Sequence, residues 1–269
     1  MRWLMGWWLL CLAVLAQAQS DPFPKIGAAY WLEIDGAPVW RRQADHHLAP
    51  ASLTKMMTAM LALEHGSTPS ALQTLVRISA SAARETGTRI GLQKDEQLTV
   101  TDLLAATMIA SANDACHALA DHVAGDQTRF VQRMNQRAVQ LGMLHTRFAN
   151  ACGHDAPQHY SSARDLATLA HALMQHPKAL EFAGQSELRI GTTNLSRSFL
   201  LKSTNALIGR YPGARGLKTG RTPLAGNCLV AVAQRGGIQV LLVLLKGHDR
   251  WWDAADVLDL AFQRASLHP

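Results

Sequence analysis

Ser52 and Lys55 stand three positions apart in Pro50-Ala51-Ser52-Leu53-Thr54-Lys55. On a helix, residues at that spacing share a face, so a hydroxyl and an amine can meet. A serine hydroxyl is a poor nucleophile until a base takes its proton. A lysine can be that base when burial or a nearby cation lowers its pKa. A serine near a helix N-terminus also lies beside unpaired N–H groups, which suit a developing oxyanion. The same residues equally fit a capping serine and a solvated lysine. Such a pair arises about 0.4 times by chance in a chain of this composition, so alone it decides nothing.

Two further clusters add chemistry. In Ser111-Ala112-Asn113 the serine can relay a proton and the asparagine amide can hold a substrate amide. It also reads as a capped turn between helices. Ser203-Thr204-Asn205 repeats the spacing and shows how weak that signal is by itself. In Lys218-Thr219-Gly220 the lysine and threonine suit a carboxylate, and the glycine lets a ligand lie against a strand edge. Chance occurrence of this third cluster is about 0.03, and of all three together about 0.004.

The elements that must position these residues follow from periodicity. Residues 26–34 alternate, with Ile26, Ala28, Tyr30, Leu32 and Ile34 on one side, and Asp35-Gly36 turns them into 39–42, a hairpin signal. A helix is expected over 53–64, opened near Ser52 and ended at Gly66. Helical stretches follow from 101, broken at 111–113 and resumed over 114–123. Others are expected over 126–141, with Phe130, Met134, Ala138 and Leu141 on one face, and over 161–174, stopping before Pro177. Strands then return over 187–193, 199–201, 216–220, 228–234 and 238–246, and a helix over 251–263 closes the chain. The expected class is α+β or α/β, with an antiparallel sheet flanked by helices and a mostly helical insert. Residues 19–70 plus 185–269 would hold the sheet and 71–184 the helices, together one catalytic domain.

The chain has 269 residues, 48% of them hydrophobic and 17% charged, which excludes disordered and collagen-like classes. Its 26 basic and 20 acidic residues leave a net charge of +6 with no long run of one sign, which argues against nucleic acid but tolerates an acidic polymer. Residues 1–18 join Arg2, an apolar run and Ala16-Gln17-Ala18, the form of a cleavable secretory signal. With Cys11 removed, Cys116, Cys152 and Cys228 remain. They are expected as buried thiols, with a Cys116–Cys152 bridge as the alternative in an oxidising compartment. The histidines form no H-E-x-x-H, and His46, His47, His117 and His122 are read as non-ligands, so no metal is expected.

In this order and context, the three clusters make the chain resemble the serine D-Ala-D-Ala carboxypeptidases, the low-molecular-mass penicillin-binding proteins with the β-lactamase-like fold. The resemblance runs from about Ala28 to Phe262. Beyond the clusters it takes in Met134-Asn135, Leu141-Gly142-Met143, 161–166 and 225–230. It implies that Ser52 attacks the D-Ala-D-Ala carbonyl to form an acyl-enzyme, with Lys55 as general base and Ser111 passing a proton to the leaving amine. It further implies that Asn113 holds the substrate amide, that Lys218 and Thr219 bind the terminal carboxylate against Gly220, and that the backbone N–H groups of Ser52 and Arg221 form the oxyanion hole. Stem peptides of peptidoglycan would be the substrate, β-lactams would trap Ser52, and no cofactor would be needed. The implied location is periplasmic or secreted. Two residues depart from the pattern: Arg221, where many relatives carry histidine, and His154, where they often carry leucine. The chain ends at Pro269, where many relatives continue into a β-rich domain and an amphipathic helix; the expectation is an enzyme without a stable membrane anchor. Endopeptidase cleavage of D-alanyl cross-links is the nearest alternative. A serine β-lactamase lacks support, since no Glu-x-x-Leu-Asn and no Tyr-x-Asn is present. A non-catalytic cell-wall or β-lactam sensor is disfavoured by the intact clusters.

Overall fold

The protein is described from a computed structural model, which covers residues 21–66, 68–194 and 196–267. The signal segment read over 1–18 lies outside the described residues. The first ribbon is β1 (Gly27–Ile34) and β2 (Ala37–Arg42), closed at Asp35-Gly36 as the sequence predicts. A 3-10 turn, Ala51–Thr54, then runs directly into α1 (Lys55–His65). The sequence placed this helix at 53–64 with Ser52 capping it. Instead Ser52 lies inside the 3-10 turn and α-helical geometry begins at Lys55. Every residue from Lys55 to Leu63 is buried, so α1 is a central helix packed on all sides rather than an amphipathic one.

Four short elements follow that periodicity does not reveal: α2 (Pro69–Leu72), β3 (Leu75–Arg77), α3 (Ala80–Ala83) and β4 (Gln97–Thr99). Longer helices are α4 (Val100–Met108), α5 (Asn113–Ala124) and α6 (Gln127–Gln140). Their starts are local: Thr99 and Asp126 each accept a hydrogen bond from the backbone N–H three residues on. Phe130, Met134 and Ala138 are the buried stripe of α6. Then come α7 (Ala163–Met174), capped by Ser162, and α8 (Pro177–Ala183). Pro177 was read as a stop; it is also a start, because the first turn of a helix needs no N–H there.

After the separate ribbon β5 (Glu187–Gly191) and β6 (Ser198–Lys202) come β7 (Ala214–Thr222), β8 (Gly226–Arg235), β9 (Ile238–Gly247) and α9 (Trp252–Leu267). The main sheet is antiparallel in the order β2-β1-β9-β8-β7, so strands from both ends of the chain pair across the middle. The fold is α+β, an antiparallel sheet flanked by helices. Alternation along β8 and β9 splits the core into two layers. Val230, Val232, Val243 and Leu245 face the helices. Leu229, Ala231, Leu242 and Leu244 face Ala254, Val257, Leu258 and Phe262 of α9. Each fully buried Leu or Val is worth about 1.5–3 kcal/mol, so α9 is held by packing without needing polar contacts.

Two features serve the site. β7 is an edge strand whose open side lies against the Ala51–Thr54 turn. Cys116 of α5 is disulfide-bonded to Cys152, with Cα atoms 5.9 Å apart. The main expectation for these cysteines, buried free thiols, is therefore corrected. Wide sequence spacing hid a pair that the packing of α5 against the 150–155 loop brings together. Cys228 alone stays a buried thiol, its pKa pushed up to about 11 by burial.

Candidate active site

Residues i and i+3 eclipse one another in a 3-10 turn. The Ala51–Thr54 turn therefore sets Ser52 directly beside the first residue of α1, and Lys55 Nζ lies 3.0 Å from Ser52 Oγ. The amine is fully buried and also donates to Asn113 Oδ1 at 2.6 Å and to the Cys152 carbonyl at 2.6 Å. Burial lowers its pKa to about 7, although the charges of Glu85 and Asp114 pull the other way. An amine with that pKa is free base about half the time near neutral pH, as a proton acceptor for Ser52 must be.

Ser111 sits in the break between α4 and α5, at a left-handed φ of 58°. Ala51, immediately before Ser52, has φ 48°. Non-glycine residues held there cost of order 1–3 kcal/mol each, and both flank the candidate catalytic groups. Lys218 Nζ donates to Ser111 Oγ at 2.8 Å and to the Thr219 carbonyl at 3.0 Å. Lys218 is buried, and burial together with Lys55 and Arg250 holds its pKa well below the usual lysine range. Thr219 Oγ1 shares a 2.7 Å hydrogen bond with Thr204 Oγ1.

Asn113 is engaged at both ends: Oδ1 accepts from Lys55, and Nδ2 donates to the Thr86 carbonyl. One lone pair and one N–H remain for a substrate amide. Gly220 brings the strand against the nucleophile's turn, since a Cβ there would lie 3.0 Å from Ser52 N. Its carbonyl is fixed by Arg250 Nη1 at 2.7 Å. Arg221, next along β7, has an exposed side chain.

The third wall is the 150–155 loop, which the sequence reading did not place in the site. Gly153 is there because nothing larger fits: φ is 88°, and a Cβ would lie 2.0 Å from the Ala51 carbonyl oxygen. Asn150 Oδ1 accepts from the N–H groups of Cys152, Gly153 and His154. Asp155 then accepts from Thr222 Oγ1 and Leu224 N, tying the loop to the end of β7. Below, His159 Nδ1 accepts from Ala149 N at 2.9 Å, so its proton is on Nε2, which donates to Thr54 Oγ1 at 2.9 Å. That hydroxyl donates to the Ala51 carbonyl at 2.8 Å, and burial lowers the pKa of His159 to about 4. Among these residues His154 gave a signal in the sequence as an unexplained departure, and Cys152 as one half of a possible bridge. A backbone acceptor such as the Cys152 carbonyl gives none.

The structure thus gathers Ser52, Lys55 and Asn113 in one hydrogen-bonded cluster and Ser111, Lys218 and Thr219 in a second, with Gly220 against the Ser52 turn and Arg221 next along the strand. A serine next to a buried lysine, a second serine–lysine pair and an open strand edge define a serine acyl-transfer centre on an α+β scaffold. A family model described as D-alanyl-D-alanine carboxypeptidase matches residues 16–249, and the chain belongs to that family of serine-type peptidases. It is similar to the D-alanyl-D-alanine carboxypeptidase DacF of Bacillus subtilis (strain 168), with 35% identity over 99% of this chain and 71% of the relative. DacC of Escherichia coli (strain K12) is also 35% identical, over 88% of this chain and 61% of the relative. Among solved structures, the Streptomyces K15 DD-transpeptidase superposes with a TM-score of 0.82 at 27% identity, covering 89% of this chain and 98% of that one. DacD from Francisella tularensis gives 0.82 at 25% identity, covering 88% and 70%.

Proposed function

We propose that this chain is a peptidoglycan D-alanyl-D-alanine carboxypeptidase working through an acyl-enzyme on Ser52. The observation that carries the reading is the buried Lys55 amine, 3.0 Å from Ser52 Oγ with its pKa lowered to about 7. Lys55 takes the Ser52 proton as Oγ bonds to the carbonyl carbon of the penultimate D-alanine. The oxygen so charged is held by the N–H groups of Ser52 and Arg221. Collapse breaks the C–N bond, and Ser111, bonded to Lys218, relays to the departing D-alanine amine the proton that Lys55 took from Ser52, so Lys55 is again the free amine. Lys218 and Thr219 hold its carboxylate, and Asn113 holds the acyl-side amide. Water, deprotonated by Lys55, then releases the shortened stem peptide. A β-lactam acylates the same oxygen, and its opened ring leaves an ester that hydrolyses slowly. Family membership and the carboxypeptidase names of the relatives support this reading over the lactamase and sensor alternatives.

The chain acts outside the cytoplasm, where peptidoglycan is, with residues 1–18 as its export signal. Residues 19–70 with 185–269 form its sheet part and 71–184 its helical part, with the site between. A fluorescent penicillin should label wild type and leave Ser52→Ala unlabelled; labelling that survives the substitution removes Ser52 as nucleophile. Incubation with an uncross-linked pentapeptide and a cross-linked dimer should release D-alanine from the first faster than it severs the second. The reverse order would make the enzyme an endopeptidase.

A further inference from the structure

Glu85 plays no part in the chemistry above, yet it is bound on both oxygens. His117 Nδ1 lies 2.6 Å from its Oε1 and His154 Nε2 lies 2.8 Å from its Oε2. The carboxylate is mostly buried, its side chain 17% exposed. Burial alone would raise its pKa, but the two histidine hydrogen bonds outweigh that, and the group stays ionised far below the usual carboxylate range.

What Glu85 joins explains why this matters. His117 is on α5, one turn after Asn113, whose Oδ1 holds Lys55. His154 ends the turn built on Asn150, and two residues before it the Cys152 carbonyl also holds Lys55. Thr86, the neighbour of Glu85, supplies the carbonyl that orients the Asn113 amide so that Oδ1 faces the amine. The Cys116–Cys152 bridge ties α5 to the loop, and Asn150 stiffens the loop itself, but neither reaches the segment carrying Thr86. The Thr88 carbonyl also accepts from Asn113 N, which ties that segment to α5 directly, and Glu85 is what joins both of them to the loop through His154.

On the reading that Lys55 is the base, we propose that Glu85, clamped between His117 and His154, is the positioning residue that holds Asn113 Oδ1 and the Cys152 carbonyl on the Lys55 amine. His154, the departure from the leucine of many relatives, thereby has a role. The clamp also acts through charge. Lys55 faces the negative charges of Glu85 and Asp114, and Lys218 faces Lys55 and Arg250 in turn. Glu85 itself faces His117 and His154, and His117 also approaches Asp121 at 3.5 Å. Glu85 favours the ammonium form of Lys55, so neutralising it lowers the pH at which the free amine appears.

The test measures acylation by a fluorescent penicillin against pH, with melting temperature alongside, for wild type, Glu85→Ala, Glu85→Gln, His154→Leu and His154→Gln. Misplacing a base by less than an ångström slows a reaction steeply, so Glu85→Ala should lose about tenfold or more in the limiting acylation rate. His154→Gln keeps a donor and should stay within about twofold of wild type, while His154→Leu should fall clearly below it. In Glu85→Gln the midpoint of the rising acid limb should move to lower pH, a change that looser packing alone would not produce. If Glu85→Ala does not fold, Glu85→Gln and the His154 pair carry the same comparison. Variants that acylate at wild-type rates with an unmoved midpoint overturn the clamp while leaving Ser52 and Lys55 in place. Failure of wild type to label at Ser52 would instead overturn the reading on which the clamp rests.

Discussion

Lys55 and Lys218 are both buried amines, each hydrogen-bonded to a serine and a carbonyl, but they stand in walls built on different principles. The Lys218 wall is a paired strand, its one register shift lying between Ala214 and Gly216, before the site. β7 pairs with β8 from Ala214 to Thr222, and the alternation of side chains decides what faces the cleft. The Lys55 wall is irregular: a 3-10 turn, a left-handed Ala51, a loop wound around Asn150 and a disulfide. Charge separates them too. Lys55 has the carboxylates Glu85 and Asp114 in range, so burial takes its pKa only to about 7. Lys218 has cations, Lys55 and Arg250, which lower its pKa in the same direction as burial does. The difference assigns roles. An amine poised near neutrality suits reversible proton transfer. An amine whose charge is suppressed until an anion arrives suits recognition of a carboxylate, because the incoming negative charge restores it.

The largest effect expected from breaking the Lys55 wall comes from Lys55→Arg, which keeps the charge and removes the base. Acylation by a fluorescent penicillin should fall by at least ~100-fold. Next is the disulfide. Cys116 and Cys152 are 36 residues apart, and a closed loop of that length is worth about 3–4 kcal/mol of stability. Reduction should lower the unfolding free energy of wild type, read from denaturant curves, by that amount and leave a Cys116→Ser/Cys152→Ser double variant unmoved. A similar effect belongs to His159. Its pKa is about 4 folded and near 6.5 when exposed, so between those values the unfolded chain binds more protons and stability rises with pH. Stability should be complete above about pH 6.5 and decline by about 3 kcal/mol as pH falls to about 4. In His159→Gln, that part of the slope should be absent from denaturation curves measured across the interval. The smallest effect is on the strand side. Arg221→His changes an exposed side chain and spares its backbone N–H, so labelling should stay within about twofold of wild type. A large loss there would bring the side chain itself into the chemistry.

The same contrast governs what could be read from the sequence. Lys218, Thr219 and Gly220 were legible because a strand edge presents side chains at fixed intervals, and the continuous apolar run over 238–246, buried on both faces, showed where the sheet lay. Ser52, Lys55, Ser111 and Asn113 were singled out by type and spacing, but only the three clusters in order, and the resemblance they carry, gave them roles. The 3-10 geometry that makes Ser52 meet Lys55 was not legible, because a helical period over 53–64 looks the same with either start. The Cys152 carbonyl was invisible, since every residue has one. Gly153 gave no sign of the close approach at Ala51, which depends on a contact distant in sequence. Short elements such as α2 and α3 are held by single caps at Thr68 and Ser79 and carry no periodicity.

The measurement that bears most directly on the account is the pH dependence of Ser52 acylation in the wild-type protein, with the adduct located by mass spectrometry of the labelled peptide. The account predicts a rate that rises with pH as a single ionisation with its midpoint at about 7, on a peptide whose modified residue is Ser52. A rate that stays flat from about pH 5 to about pH 9, or an adduct elsewhere in the chain, would contradict it.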